Sequence, residues 1–221
     1  VASPNKQVNI LSNDKNCSVQ ITNNSLYDTS LIWIEKINHP VEPKGGTRLS
    51  SVYQLQPFEL ALKDTIRIGI RYGNKIKNMK NISLYYYNQK HGWTFLPSSI
   101  HSNRQIISST LFSLDAITIM QDIEPPFIRK VFPEDGGKFH YKDLKTISII
   151  ADDYLSGLNS NEKSMEIKLD GLTVRYAFQP IKKELSYYLP TPLDAGEHTM
   201  EYKISDLAGN TVSGLSTFLV D

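Results

Sequence analysis

The chain has 221 residues, of which 24 are basic and 23 acidic, for a formal net charge of +1. That balance leaves no electrostatic footprint for nucleic acid or an anionic membrane, and no run of about 18 apolar residues is present that could span a bilayer as a helix. The lone cysteine, Cys17, excludes an intrachain disulfide and a cysteine-built metal site, and leaves a buried, inert thiol or a reactive one as its two readings.

The sequence opens Val1-Ala2-Ser3 without a methionine, which reads as an excised or processed piece of a longer protein. Val8 to Leu11 and Ser18 to Thr22 alternate apolar and polar side chains across an Asn-, Asp- and Ser-rich turn, and predict two short strands. Leu31-Ile32-Trp33-Ile34 is nearly continuous in apolar character and is followed by Pro40, Pro43, Gly45 and Gly46; it predicts a buried strand and then a loop. Strands are also predicted at Ser51 to Pro57 and at Thr65 to Tyr72, where Ile66, Ile68 and Ile70 share one face and Arg67 and Arg71 the other. Ile82 to Tyr87 and Trp93 to Leu96 flank a loop ending in Gly92 and predict a hairpin, with further strands at Gln105 to Ser108 and Leu114 to Met120.

At Asp122-Ile123-Glu124-Pro125-Pro126 two fixed φ angles and two missing donors forbid a helix or central strand. The segment divides the chain into domains 1–122 and 123–221, joined by a short, stiff linker. Beyond it, strands are predicted at Phe127 to Pro133, Lys145 to Ala151, Met165 to Leu169, Leu172 to Tyr176, Glu184 to Leu189, His198 to Ile204 and Gly214 to Val220. Asp170-Gly171 between the third and fourth is the strongest two-residue hairpin signal. Seven short strands without helical periodicity indicate a β-sandwich, so the fold class is all-β with two tandem sandwiches.

Two constellations carry chemical potential. Tyr85, Tyr87, Trp93 and Phe95 on the hairpin offer flat rings to a sugar, or else pack against one another across the strands. Asp152, Asp153, Asp206 and Asn210 end two strands; their oxygens either gather round Ca²⁺ or close their own turns on backbone N–H groups. His39, His91, His101, His140 and His198 fall singly, without His-Glu-x-x-His spacing, and there is no Gly-x-Ser-x-Gly elbow or phosphate loop. No catalytic residue is predicted, and His198 reads as a strand histidine bonded to a nearby loop.

The series Asp122-x-x-Pro125-Pro126, Asp152-Asp153-x-x-Ser156-Gly157-Leu158, Leu169-Asp170-Gly171, Leu193-x-x-Gly196-x-His198-Thr199 and Asp206-x-Ala208-Gly209-Asn210 resembles the immunoglobulin-like domains of bacterial secreted and surface proteins. It covers the second half. In the first half, Gly46, Ser51-Val52-Tyr53-x-Leu55-x-Pro57, Asp64 to Ile68, Tyr85-Tyr86 and Gly92-Trp93 resemble the ZU-type sandwich modules that precede such domains. In several of those proteins the pair follows a lysostaphin-type zinc endopeptidase domain. The resemblance implies a non-catalytic spacer or accessory region of a larger extracellular, periplasmic or cell-surface bacterial protein, with a cell-wall peptidase upstream as one setting. Its partners would be other domains of the same chain. The alternative is an adhesion module that meets cell-wall glycan or a surface protein through the Tyr85–Trp93 hairpin.

Overall fold

The computed structural model describes residues 1–73, 76 and 78–221. The chain divides into two compact units, Val1–Ile123 and Glu124–Asp221. The division falls beside Pro125-Pro126, where the missing backbone donors would interrupt any ladder.

In the first unit the strands are β1 (Val8–Leu11), β2 (Cys17–Ile21), β3 (Trp33–Ile37), β4 (Gly46–Arg48), β5 (Val52–Gln56), β6 (Ile66–Arg71), β7 (Ile82–Asn88), β8 (Gly92–Leu96), β9 (Ser99–His101), β10 (Ile106–Leu111) and β11 (Ala116–Asp122). They form two antiparallel sheets, ordered β1-β2-β6-β10-β9 and β3-β5-β11-β7-β8, with β4 paired to the end of β11. The period-2 pattern sets the layers: Ile66, Ile68 and Ile70 enter the core with Leu55, Leu84, Ile117 and Ile119, while Arg67 and Arg71 stay in solvent.

One local expectation fails. The run Leu31 to Ile34 is not buried throughout: Ile32 and Ile34 are 5% exposed, whereas Leu31 and Trp33 are 62% and 40% exposed. The reason is that β3 belongs to one layer of a two-sheet sandwich, so Ile34 faces the other sheet with Leu55 while Trp33 and Glu35 face solvent.

The second unit has nine strands among its described residues, two more than predicted: β12 (Phe127–Phe132), β13 (Lys138–Phe139), β14 (Thr146–Asp152), β15 (Met165–Leu169), β16 (Leu172–Thr173), β17 (Ala177–Gln179), β18 (Glu184–Tyr188), β19 (Gly196–Ser205) and β20 (Thr211–Val220). One sheet is ordered β12-β14-β18-β17 and the other β13-β20-β19-β15-β16, with β13 parallel to β20 and the other pairs antiparallel. Read as A, B, E, D against A′, G, F, C, C′, this is the immunoglobulin strand order, and the second unit is an immunoglobulin-like sandwich. Its core runs through Ile147, Ile149, Ile167, Leu185, Met200, Ile204 and Phe218.

Asp170 and Gly171 both have positive φ, 50° and 77°, the requirement of a type I′ turn, and they set Leu169 opposite Leu172. The strand after this turn is shorter than predicted, ending at Thr173, although Val174 N still donates to the Ile167 carbonyl at 3.0 Å. Gly214 faces Tyr202 across β19 and β20, and a Cβ there would collide with the Tyr202 hydroxyl and ring. The glycine thus makes room for the ring.

Candidate functional site

The hairpin of β7 and β8 places its aromatic residues in cross-strand pairs, Tyr85 opposite Phe95 and Tyr87 opposite Trp93. The rings meet edge-on, with centroids 5.6 and 5.3 Å apart. The segment between β3 and β4 packs on Tyr87 and Trp93. His39 packs at 4.2 Å from Tyr87 and 4.8 Å from Trp93, Trp93 Nε1 donates to the Val41 carbonyl at 2.8 Å, and the Arg48 guanidinium lies 5.7 Å from the Trp93 ring centre. Tyr85 is fully buried and Trp93 is 7% exposed, while Tyr87 and Phe95 are half-buried. Tyr85 and Trp93 thus offer no open face to a sugar, while Tyr87 and Phe95 keep part of their rings in solvent. After the prolines and glycines of that loop the chain pairs as β4 with the end of β11.

The acidic loops of the second unit separate into different roles. Asp152, at the end of β14, is ion-paired with Arg129 of β12 and with Lys183 in the turn before β18, and also accepts from Asp153 N at 2.8 Å. Burial alone would raise its carboxyl, but the Lys183 and Asp153 hydrogen bonds and the two cations hold it below the ordinary aspartate value. Asp153 accepts from Leu155 N at 2.9 Å and Gly157 N at 2.8 Å. Asp206, wholly buried, accepts from Gly209 N at 2.6 Å, Asn210 N at 2.8 Å and Asn210 Nδ2 at 2.8 Å. Burial pushes its carboxyl up against those hydrogen bonds, and the Asp153 charge adds to the rise.

Thus Asp153, Asp206 and Asn210 come together, one oxygen of Asp153 lying within 4.8 Å of one of Asp206, and Leu158 forms an isolated bridge with Asp206. Asp152 does not join them; its oxygens are held by cations of the protein itself. The turn-closing hydrogen bonds are those of the structural alternative.

His198 contacts Asp170 Oδ2 through Nδ1 at 2.7 Å and the Asp194 carbonyl through Nε2 at 2.9 Å, which places its ring between two loops. Cys17 is fully buried, and burial pushes its thiol up to about 12, so it holds its proton at neutral pH and is a poor nucleophile.

The first unit also carries a surface groove. Leu11, Asn13, Asp14, Trp33, Glu35 and Lys36 line an open groove of about 460 Å³ beside β3. Trp33 Nε1 donates to Glu35 Oε1 at 2.8 Å, and Gln56 Nε2 donates to Glu35 Oε2 at 3.1 Å, so the indole is fixed on the solvent side of the strand. Asp14 accepts from Ser12 Oγ at 2.6 Å, Asn16 N at 3.1 Å and the buried Tyr53 hydroxyl at 2.9 Å. Burial would raise its carboxyl; these hydrogen bonds bring it below the ordinary value. The available signal was Glu35, which shares a strand face with Trp33 by period 2 and marks that face as solvated.

No protein-family model matches the chain, and no curated protein matches it. Among solved structures, it is similar to CopC from Methylosinus trichosporium OB3b at 20% identity, over 43% of this chain and 93% of that one, with a TM-score of 0.36. Dimeric latent PorU from Porphyromonas gingivalis shares 10% identity over 72% of this chain and 22% of that one, with a TM-score of 0.35. Immunoglobulin domains 1–4 of Sidekick-1 share 10% identity over 100% of this chain and 73% of that one, with a TM-score of 0.26.

Proposed function

We propose that the chain is a non-catalytic structural region of a larger secreted or cell-surface bacterial protein, a ZU-type sandwich followed by an immunoglobulin-like one, of the kind that accompanies a cell-wall peptidase. The observation that carries this reading is how the chemically capable side chains are used. Asp152 is held by Arg129 and Lys183, Asp153 and Asp206 hold their own turns, Trp93 is bonded to the Val41 carbonyl and Cys17 is buried. Groups committed in this way stabilise loops and do not wait for a substrate. The strand ladders pass from β11, ending at Asp122, to β12, beginning at Phe127, with only the proline-bearing segment between them, as suits successive domains in a spacer.

The test is turnover. The pure 221-residue chain, supplied with zinc and calcium, is incubated with peptidoglycan and with chromogenic glycosides, and release of product no faster than in buffer is expected. Turnover that a point substitution within the chain abolishes would overturn the proposal.

A further inference from the structure

We infer that the outer face of the sheet β1-β2-β6-β10-β9 binds an acidic polysaccharide, a glycan whose sugars carry carboxylate or sulfate groups. The near-neutral charge of the chain divides unevenly: residues 1–123 hold 13 basic and 8 acidic side chains, and residues 124–221 hold 11 and 15. On this face the imbalance is complete, because none of the five strands contains an aspartate or a glutamate. Arg67 and Arg71 both point outward, opposite to the buried Ile66, Ile68 and Ile70, and at about 3.3 Å per residue they stand about 13 Å apart along β6. Arg67 lies in register with Gln20 and Thr110, and Arg71 with Ile106. Between the two arginines, Ser18, Gly69 and Ser108 are aligned across three strands of the same face. Gly69 keeps the centre low, since a Cβ there would lie 3.0 Å from Ile106 and 3.2 Å from the Ser18 hydroxyl. The result is a furrow with a hydroxyl on either side and a cation at each end.

Neither guanidinium is neutralised. Among the described residues Arg67 and Arg71 form no ion pair and no side-chain hydrogen bond, and each presents a planar fork of donors that matches the paired oxygens of an acidic group. Beside Arg71 a groove of about 470 Å³ adds Lys15 to the positive end. Its one carboxylate, Asp14, is already taken by Ser12, Asn16 N and Tyr53. The kind of anion follows from what else the face holds. The five strands carry no Phe, Tyr or Trp, so nucleobases would find no such ring to stack on. β6 is a central strand, paired to β2 and β10, so its backbone groups are already used and offer no edge to an acidic peptide. Ser18, Gln20, Ser108 and Thr110 both donate and accept hydrogen bonds, as the hydroxyl groups of a sugar do. A neutral glycan would leave both guanidinium groups unused. This face lies away from the β7–β8 hairpin and does not depend on the spacer reading.

The test titrates the full chain by calorimetry with polygalacturonate, dextran sulfate and uncharged dextran, and with polyglutamate and a thymidine oligodeoxynucleotide as polyanions of other classes. At least one of the two acidic glycans is expected to bind with a Kd of about 100 μM or tighter, and more weakly as salt is raised from about 0.05 M to about 0.3 M. Uncharged dextran is expected to be silent, and the preference between the first two tells carboxylate from sulfate. The double variant Arg67→Gln/Arg71→Gln is expected to lose at least about tenfold in affinity. Lys80→Gln/Lys90→Gln, which removes the same charge from either end of β7 in the other sheet, is expected to lose less than about threefold. Thr110→Glu, which sets a carboxylate opposite Arg67, is expected to weaken binding too, and it keeps the test open should the arginine variant fail to fold. Silence from both acidic glycans, an equal loss in the two double variants, or tighter binding by polyglutamate or the oligonucleotide would overturn the inference.

Discussion

Replacing Asp152 by Asn keeps the shape of the side chain and removes its charge, which isolates the triad with Arg129 and Lys183. The Asp152 side chain is 8% exposed, while Arg129 and Lys183 are 56% and 44% exposed. Hydrogen bonds to a charged group contribute about 1.5–3 kcal/mol each. Water screens both cations, so the two together are expected to contribute about 2 kcal/mol and not their full sum. The triad pins β12, the end of β14 and the turn before β18, where Lys183 has a positive φ of 55° and its carbonyl accepts from Ala151 N.

The sign with pH follows from the depressed carboxyl. The unfolded chain takes up the Asp152 proton more readily than the folded one, so the stabilisation is present above the ordinary value of 3.8 and is lost as pH falls below it towards the folded value. Both tryptophans, Trp33 and Trp93, lie in the first unit, so urea unfolding can be followed by tryptophan fluorescence for that unit and by far-UV circular dichroism for both. Asp152→Asn is expected to move the second-unit transition to lower urea at neutral pH, equally in calcium and in chelator, and to leave the fluorescence transition in place. The gap between variant and parent closes below pH 3.8. A gap that persists in acid, or a fluorescence transition that moves as far as the circular dichroism one, would refute the reasoning.

Gly214→Ala drives a methyl group into the Tyr202 ring and is expected to cost about 1–3 kcal/mol by overpacking, read as a lower melting temperature; Tyr202→Phe, which keeps the ring, should not rescue it. His198 has burial lowering its pKa, outweighed by the Asp194 carbonyl and the Asp170 carboxylate, so the net direction is upward from 6.5. Its stabilisation is therefore complete below pH 6.5 and lost as pH rises through the folded value, and His198→Asn should flatten the melting temperature across that window. Cys17, buried and raised to about 12, is expected to resist a thiol reagent in native buffer and to react stoichiometrically in denaturant; rapid labelling of the native chain would contradict its burial.

What could be read from sequence was what local chemistry decides. Asp170-Gly171 forms a type I′ turn because both residues tolerate positive φ, and Ile66, Ile68 and Ile70 point inward because a strand face repeats every second residue. What could not be read depended on partners distant in sequence. The two-residue strand β13 has no alternation to detect and exists because β20 lies beside it; the three-residue β17 similarly depends on β18. Nothing in the strand that carries Trp93 shows that His39, Val41 and Arg48 pack on its ring. Trp33 was misplaced for the opposite reason, its hydrophobicity outweighing the polar Glu35 on the same face. For the acidic loops, composition left calcium and turn closure both standing, and only the positions of the N–H groups show what the carboxylates hold.

The central claim is that the chain is two self-sufficient β units, each with its own core. Its most direct test is separate expression of residues 1–123 and 124–221 with calorimetric unfolding of each fragment beside the full chain. The account predicts a β-type circular dichroism spectrum and a cooperative unfolding transition for each fragment. A fragment that is disordered alone, under conditions where the full chain is folded, would contradict it.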